Sequence, residues 1–284
     1  FYAGGRIIEY CCRATRPYSE KQLREIRYLF ETWQEWLARR NIRFLLVIVP
    51  NKHTIYPEYL PRWITRVGEK TRLDQITNYF KTHSSVEMLQ LKEPLLEAKK
   101  RARIYYITDS HWNDEGAYVG YSHIIDRLSK WFPQAKPLPR SAFIARRVLQ
   151  PGGDLAVMLG QEHHFKEDNI VLEPRKKRRA RRVEADELLA KHQKERGRMR
   201  EPLVMECEDA QIPRAVMFRD SMSVALIPLL SEHFGRIVYL WQDEMDPFVI
   251  EREKPDVVIC EIGERGLVKD RYLRERLEEL RQIK

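Results

Sequence analysis

The chain has 284 residues, 43% of them hydrophobic, enough to bury the core of one large α/β domain or two small ones. It contains no run of 18 or more apolar residues, which excludes a membrane-spanning helix within the sequence given. The net charge is +9, but removing the seven positive charges of one eight-residue run, Arg175–Arg182 (RKKRRARR), leaves only +2, so a nearly neutral body carries one basic segment.

The chain begins at Phe1 rather than at a methionine, and a leader or anchor upstream is the expectation. Ser19-Glu20-Lys21-Gln22 has the spacing of a capping box, and Leu23, Ile26, Phe30, Trp33 and Leu37 follow on one helical face; this predicts a helix from about Glu20 to Arg40 with that stripe in the core. Arg43–Val49 (RFLLVIV) is continuously apolar and ends at Pro50, the pattern of a strand covered on both faces in a parallel sheet. The loop from Pro50 to Pro61 holds three prolines and follows the carboxyl end of that strand, where α/β proteins place their sites. Asn51 and Lys52 either line a pocket there or only stabilise the turn.

Helices are expected near Leu73–Lys81 and Glu93–Arg101, then a strand over Ile104–Ile107 that delivers Asp109 and His111 at its end. Asn113 is placed to cap the next helix, with Asp114 and Glu115 in its first turn and Tyr118, Tyr121, Ile125 and Leu128 on its buried face. From Pro133 to Pro213 the periodicity weakens. Gly152-Gly153-Asp154-Leu155 reads as a turn, and about 165–212 as a basic, partly mobile insertion within a single domain spanning 1–284. Its basic run reads first as a solvated loop and second as a docking patch for an anionic polymer or lipid. No nucleic-acid recognition motif accompanies it, so nucleic acid is not an expected partner. Ala215–Phe218 is a short buried strand ending at Ser221, ahead of an apolar helix from Val224 to Phe234. Strands at Arg236–Leu240 and Asp256–Cys260 and a charged helix at about Lys269–Gln282 complete the chain. The alternation predicts a three-layer α/β/α sandwich with a mostly parallel sheet.

Two segments carry chemistry. Thr108-Asp109-Ser110-His111-Trp112 offers an aspartate two residues before a histidine, and Arg219-Asp220-Ser221-Met222 offers a serine at a strand-to-helix turn. Asp109 can orient the His111 imidazole, His111 can deprotonate Ser221, and the Ser221 backbone N–H can help hold an oxyanion. The order Asp, His, Ser is not that of the α/β-hydrolases. Asp220 is read as orienting the serine turn rather than as the acid. Arg219 and Arg265 are candidates to bind substrate or support the site, with salt bridges to Asp220 and Glu264 as the competing role. Asn51 completes the candidate set. The cysteines Cys11, Cys12, Cys207 and Cys260 have no C-x-x-C spacing, which excludes a structural zinc site and leaves a single bridge open. His163 and His164 read as exposed loop residues; neither metal nor cofactor is expected.

Five segments, PNKHTIYPEYLP (Pro50 to Pro61), YYITDSHWNDEGAY (Tyr105 to Tyr118), GGDLAVMLG (Gly152 to Gly160), RDSMSVALIPLLSEHF (Arg219 to Phe234) and REKPDVVICEIGERGL (Arg252 to Leu267), resemble those of the AlgJ/AlgX-type polysaccharide O-acetyltransferases, in the same order. That domain resembles the SGNH hydrolases with the triad order permuted. The resemblance implies an acetyl group carried by Ser221, with Asp109 and His111 as its partners. It also implies an exported, alginate-like or other exopolysaccharide as acceptor, a membrane-bound O-acyltransferase supplying the acetyl group, and an extracytoplasmic location. The opening FYAGG resembles the segment that follows the membrane anchor or signal in such proteins. Met222 and Gly266 depart from the family, which more often has Phe and an aromatic residue there, and the basic insertion has no clear counterpart. An esterase or deacetylase with the same triad, and a non-catalytic polysaccharide-binding relative, are the alternative readings.

Overall fold

A computed structural model describes residues 5–198, 200–208, 214–268, 276–278 and 280. The sheet is nucleated by the sequence's most apolar run. That run forms β1 (Arg43–Val49), in which six of seven residues are buried, as expected of a strand covered on both faces. The strands that follow are β2 (Met88–Gln90), β3 (Phe143–Pro151), β4 (Lys166–Pro174), β5 (Arg181–Val183), β6 (Leu203–Glu206), β7 (Arg214–Arg219), β8 (Arg236–Trp241) and β9 (Val257–Gly263). Seven of them make one sheet in the order β2-β1-β9-β7-β8-β6-β5, while β3 and β4 pair separately as a hairpin. The pairs from β2 through β8 are parallel, and β6 and β5 add to the β8 edge antiparallel.

Helices α1 (Glu20–Ala38), α2 (Arg72–His83), α3 (Lys92–Lys99), α4 (Asp114–Leu128), α5 (Glu187–Glu195) and α6 (Pro247–Glu253) cover both faces. Strand alternation sorts the core. Phe44, Leu46, Ile48, Val216, Phe218, Val258 and Cys260 face α1, α2 and α6, whereas Leu45, Val47, Met217, Tyr239, Val257 and Ile259 face α3 and α4. This is the expected three-layer arrangement. The Ser19–Gln22 capping box is formed, its bonds in both directions. A second box at Thr71–Asp74 starts α2; each such cap is worth about 1 kcal/mol.

The structure differs from the sequence reading in four places. Ile104–Ile107 does not join the sheet. The neighbouring position beside β1 is taken by β2, and the chain folds back on itself, Tyr105 bridging to Trp112 and the Asn113 amide reaching the Ile104 carbonyl at 3.1 Å. Val224–Phe234 is broken into short helical pieces, Ser221–Ala225, Ile227–Leu230 and Ser231–His233, with Pro228 inside the middle one. The Gly152–Leu155 turn opens a helix, Asp154–Met158. The stretch after Pro133, where periodicity fails, supplies the β3–β4 hairpin, α5 and two strands of the main sheet. The expected helix at Lys269–Gln282 falls almost entirely outside the described residues. All four cysteines are free thiols, so the open disulfide is not formed. No helix among the described residues is long and apolar enough to cross a membrane.

Candidate active site

Four segments converge beyond the carboxyl ends of β1, β7 and β9. β7 ends at Arg219, and the next two residues make a tight turn. The Asp220 carboxylate accepts the Met222 amide at 2.7 Å and the Gly263 amide at 3.2 Å, which caps the helical turn beginning at Ser221 and ties it to the end of β9. Beneath it, the fully buried Glu261 accepts the Asp220 amide at 3.1 Å and the Ser223 hydroxyl at 2.5 Å. Burial first, and the Asp220 carboxylate second, push the Glu261 carboxyl far above its ordinary range.

The Asp109–His111 segment has no strand to hold it and is pinned by side chains instead. Glu167 on β4 accepts the Ile107 amide at 2.5 Å and the Thr108 amide at 2.8 Å. Lys52 donates to the carbonyls of Ile107 and Asp109 at 2.7 and 2.9 Å. Buried Trp112 donates its indole N–H to the Met222 carbonyl at 2.8 Å, joining this segment to the serine turn. Gly153 has to be glycine here, because a Cβ would lie 2.4 Å from the Asp109 Cβ.

These supports bring Asp109, His111 and Ser221 into one hydrogen-bonded chain. Asp109 Oδ1 is 2.6 Å from His111 Nδ1, and His111 Nε2 is 2.8 Å from Ser221 Oγ. Asp109 also accepts the His111 amide at 2.8 Å and the Asp154 amide at 3.0 Å. Against the cost of burial, the bonds from His111 and Asp154 hold its carboxyl down at about 2. With Nδ1–H directed at Asp109, Nε2 is left as the acceptor facing the serine. Arg265, just past β9, donates from Nη2 to Ser221 Oγ at 2.7 Å and lies 3.2 Å from His111 Nε2.

The other candidates are placed differently. Arg265 goes to the serine and not to Glu264; Glu264 turns away, accepting the Asn51 amide at 2.8 Å and the Thr54 hydroxyl at 2.6 Å, and burial pushes its carboxyl up to about 7. Asn51 lines a small cleft with Lys52, Ser110 and Arg265. Arg219 stands apart from the serine. It pairs with Trp241 across the β7–β8 ladder, lies over that indole with its guanidinium carbon 4.3 Å from the ring centre, and donates to the Asp220 carbonyl at 3.2 Å. Strand alternation puts it on the Met217 face of the sheet, which is why neither oxyanion binding nor a bridge to the Asp220 carboxylate is its geometry. The sequence reading gave no site role to Asp154, whose carboxylate accepts the Ser110 amide at 2.6 Å and lies 3.5 Å from His111 Nδ1. The signal was the acid directly after Gly152-Gly153.

Two sets of side chains have donor atoms close enough to hold a metal ion: Asp109, His111 and Asp154, and the buried group Cys11, His53 and Glu264. His163 and His164 are exposed and belong to neither.

A family model described as the SGNH hydrolase-like domain of acetyltransferase AlgX matches residues 11–196, and the chain belongs to that family. A probable alginate O-acetylase AlgJ from Azotobacter vinelandii is 27% identical over 131 residues, 44% of this chain. The match spans 31% of that relative's length. Among solved structures, Bacillus cereus PatB1 superposes with a TM-score of 0.65 at 17% identity, covering 89% of this chain and 93% of its own. The O-acetyltransferase domain of Pseudomonas putida AlgJ gives 0.59 at 20% identity, covering 98% and 95%. The fold is thus SGNH hydrolase-like, built on a large, mostly parallel sheet.

Proposed function

We propose that this protein is an O-acetyltransferase that moves an acetyl group through an acetyl-Ser221 intermediate onto a hydroxyl of an exported polysaccharide. The single observation that carries the reading is the continuous chain Asp109–His111–Ser221, at 2.6 and 2.8 Å, with the Arg265 guanidinium on the same serine oxygen. His111 Nε2 takes the Ser221 proton as Oγ attacks the acetyl carbonyl carbon. The carbonyl oxygen becomes an oxyanion, facing the Ser221 amide and the Arg265 guanidinium. Collapse expels the donor's alkoxide or thiolate, which leaves with the proton from His111. A sugar hydroxyl then gives its proton to His111 and attacks the acetyl carbon, and Ser221 departs with the proton returned. Asp109 holds the imidazole tautomer throughout and offsets the charge on the ring.

The names of the relatives support an alginate-like or other exopolysaccharide acceptor and, with it, an extracytoplasmic location. A membrane-bound acyltransferase that supplies the acetyl group belongs to the same proposal. The test is acetyl release from a chromogenic acetyl ester by wild type and Ser221→Ala, with and without uronic-acid or neutral oligosaccharides. Serine-dependent turnover with acetyl appearing on sugar supports the transferase. Serine-dependent release into water alone makes the protein an esterase. Equal rates in two folded proteins would remove Ser221 as nucleophile and leave a binding role.

A further inference from the structure

Lys52 has two sides. One lines the small cleft with Asn51, Ser110 and Arg265. The other lines a separate cleft of about 600 Å³ whose remaining walls include Tyr56, Tyr59, Tyr105, Tyr106, Lys99 and Arg103. None of these residues has a part in the acyl chemistry. The volume is that of a small-ligand site, and Ile107, on its rim, is two residues from Asp109.

The wall has two unusual properties. The first is an offered aromatic face. The Tyr59 side chain is 69% exposed, and its ring centre lies 6.1 Å from that of Tyr56, the planes inclined by 33°. Tyr56 is fixed in turn, its hydroxyl accepting the Ile104 amide at 3.1 Å and its ring meeting Tyr105 edge-on. A large apolar ring left wet beside a fixed one is a ready stacking platform. Pyranose rings suit such a platform, since their C–H faces are apolar and their hydroxyls point outward. The second property is charge. Three cations, Lys52, Lys99 and Arg103, line the cleft against one acid, Glu58, whose carboxylate is bound by Lys99 at 2.8 Å. Behind Arg103, Glu167 is already committed to backbone amides. The cleft therefore presents a net positive field to its occupant.

We propose that this cleft is the acceptor subsite, holding a carboxylate-bearing sugar of the polysaccharide chain with Tyr59 as stacking platform and Arg103 and Lys99 facing the carboxylate. This rests on the acetyltransferase reading above and gives it a substrate class. The chain would leave the cleft past Lys52, the residue that also borders the Ser110–Arg265 cleft, so that a neighbouring sugar unit is offered to the acetyl-serine.

The test separates binding from chemistry. A hexuronic-acid tetrasaccharide and its carboxyl-reduced, neutral counterpart are titrated calorimetrically into wild type, Tyr59→Ala and Arg103→Gln. Serine-dependent hydrolysis of the chromogenic acetyl ester without sugar, and thermal unfolding, are followed in parallel. Wild type is expected to bind the acidic tetrasaccharide about tenfold tighter than the neutral one. Tyr59→Ala should weaken both by about tenfold, the size of a lost ring contact. Arg103→Gln should erase the preference for the acid, and ester turnover and thermal unfolding should stay unchanged in both variants. Equal affinity for the two sugars, or wild-type binding by folded Tyr59→Ala, would overturn the proposal. So would competition by a soluble acetyl thioester for the same cleft. Failure of the sugar to bind while ester turnover remains serine-dependent would sink the subsite and spare the acetyltransferase reading. Failure of the reading itself appears in the ester assay, whatever the calorimetry gives.

Discussion

Replacing Asp109 by asparagine strikes the hydrogen-bond chain at its acid end, and the surrounding donors make the outcome calculable. Asp109 Oδ1 accepts from both the His111 amide and His111 Nδ1, and Oδ2 accepts from the Asp154 amide. An asparagine has one acceptor oxygen and one donor nitrogen for those places. With its oxygen at the Oδ1 position, its NH₂ faces the Asp154 N–H. With its oxygen at the Oδ2 position, its NH₂ faces the His111 amide and Nδ1, which forces the proton onto Nε2, opposite the serine. Neither arrangement keeps both the tautomer and the full set of bonds. The charge loss is partly covered, because the Asp154 carboxylate lies 3.5 Å from Nδ1 against 2.6 Å for Asp109. At an effective dielectric of about 20 those separations correspond to attractions of about 5 and about 6 kcal/mol for an imidazolium. Most of the field thus survives in Asp109→Asn while the directional bond does not. General-base catalysis contributes about 10²–10⁴-fold, and the single variant is expected near the lower bound, a fall of about 10² in kcat/KM. The double variant Asp109→Asn/Asp154→Asn should approach the upper bound, about 10⁴, with effects that do not add. The assay is serine-dependent turnover of the acetyl ester at pH 7.5, well above the value near 2 at which Asp109 is held. A single variant within twofold of wild type would refute the tautomer argument. A double variant no slower than the single would refute the role given to Asp154.

Arg265→Met removes the donor 2.7 Å from Ser221 Oγ and should lower kcat by about 10²–10³ with KM for a small ester little changed; unchanged kcat would remove the guanidinium from the oxyanion. Gly116→Ala places a Cβ 2.2 Å from the Ile104 carbonyl oxygen; forcing α4 away should cost about 1–3 kcal/mol, read as a lower Tm. His233 is buried beside the Tyr121 hydroxyl, 2.5 Å from Nε2, and burial lowers it from 6.5 to about 4. The folded state keeps this imidazole neutral while the unfolded chain takes up a proton. Its contribution is therefore present above pH 6.5 and lost as pH falls towards 4, by up to about 3 kcal/mol. Urea unfolding at pH 7.5 and 4.5 should show a smaller loss in His233→Gln than in wild type; equal losses would disprove it.

The sequence disclosed the elements whose signal is local. β1 announced itself because burial on both faces demands an unbroken apolar run, and α1 because its cap and stripe coincide. Asp109, His111 and Ser221 could be named from residue type and spacing, together with the family resemblance. What stayed hidden depends on distant partners. Ile104–Ile107 has the composition of a strand, and only the occupation of the neighbouring place by β2 denies it one. β5 and β6 carry too few apolar residues to be seen and exist by pairing with β8. Asp154 gains its role from a hairpin that returns it to Asp109 over about 45 residues of chain. Arg219 was read by its nearness to Ser221 along the chain, whereas the alternation of β7 turns it towards Trp241.

The indole of Trp112 has a consequence beyond packing. Ser221 and Arg265 ride on the sheet, while Asp109 and His111 ride on a loop fastened to Lys52 and to the hairpin. The donor bond from Trp112 to the Met222 carbonyl is a tie between these two carriages. Their relative slippage by less than an ångström would take Nε2 out of reach of the serine without unfolding anything. Heat would then uncouple the machinery ahead of melting the scaffold, and turnover would fade at temperatures where circular dichroism still reads a native fold.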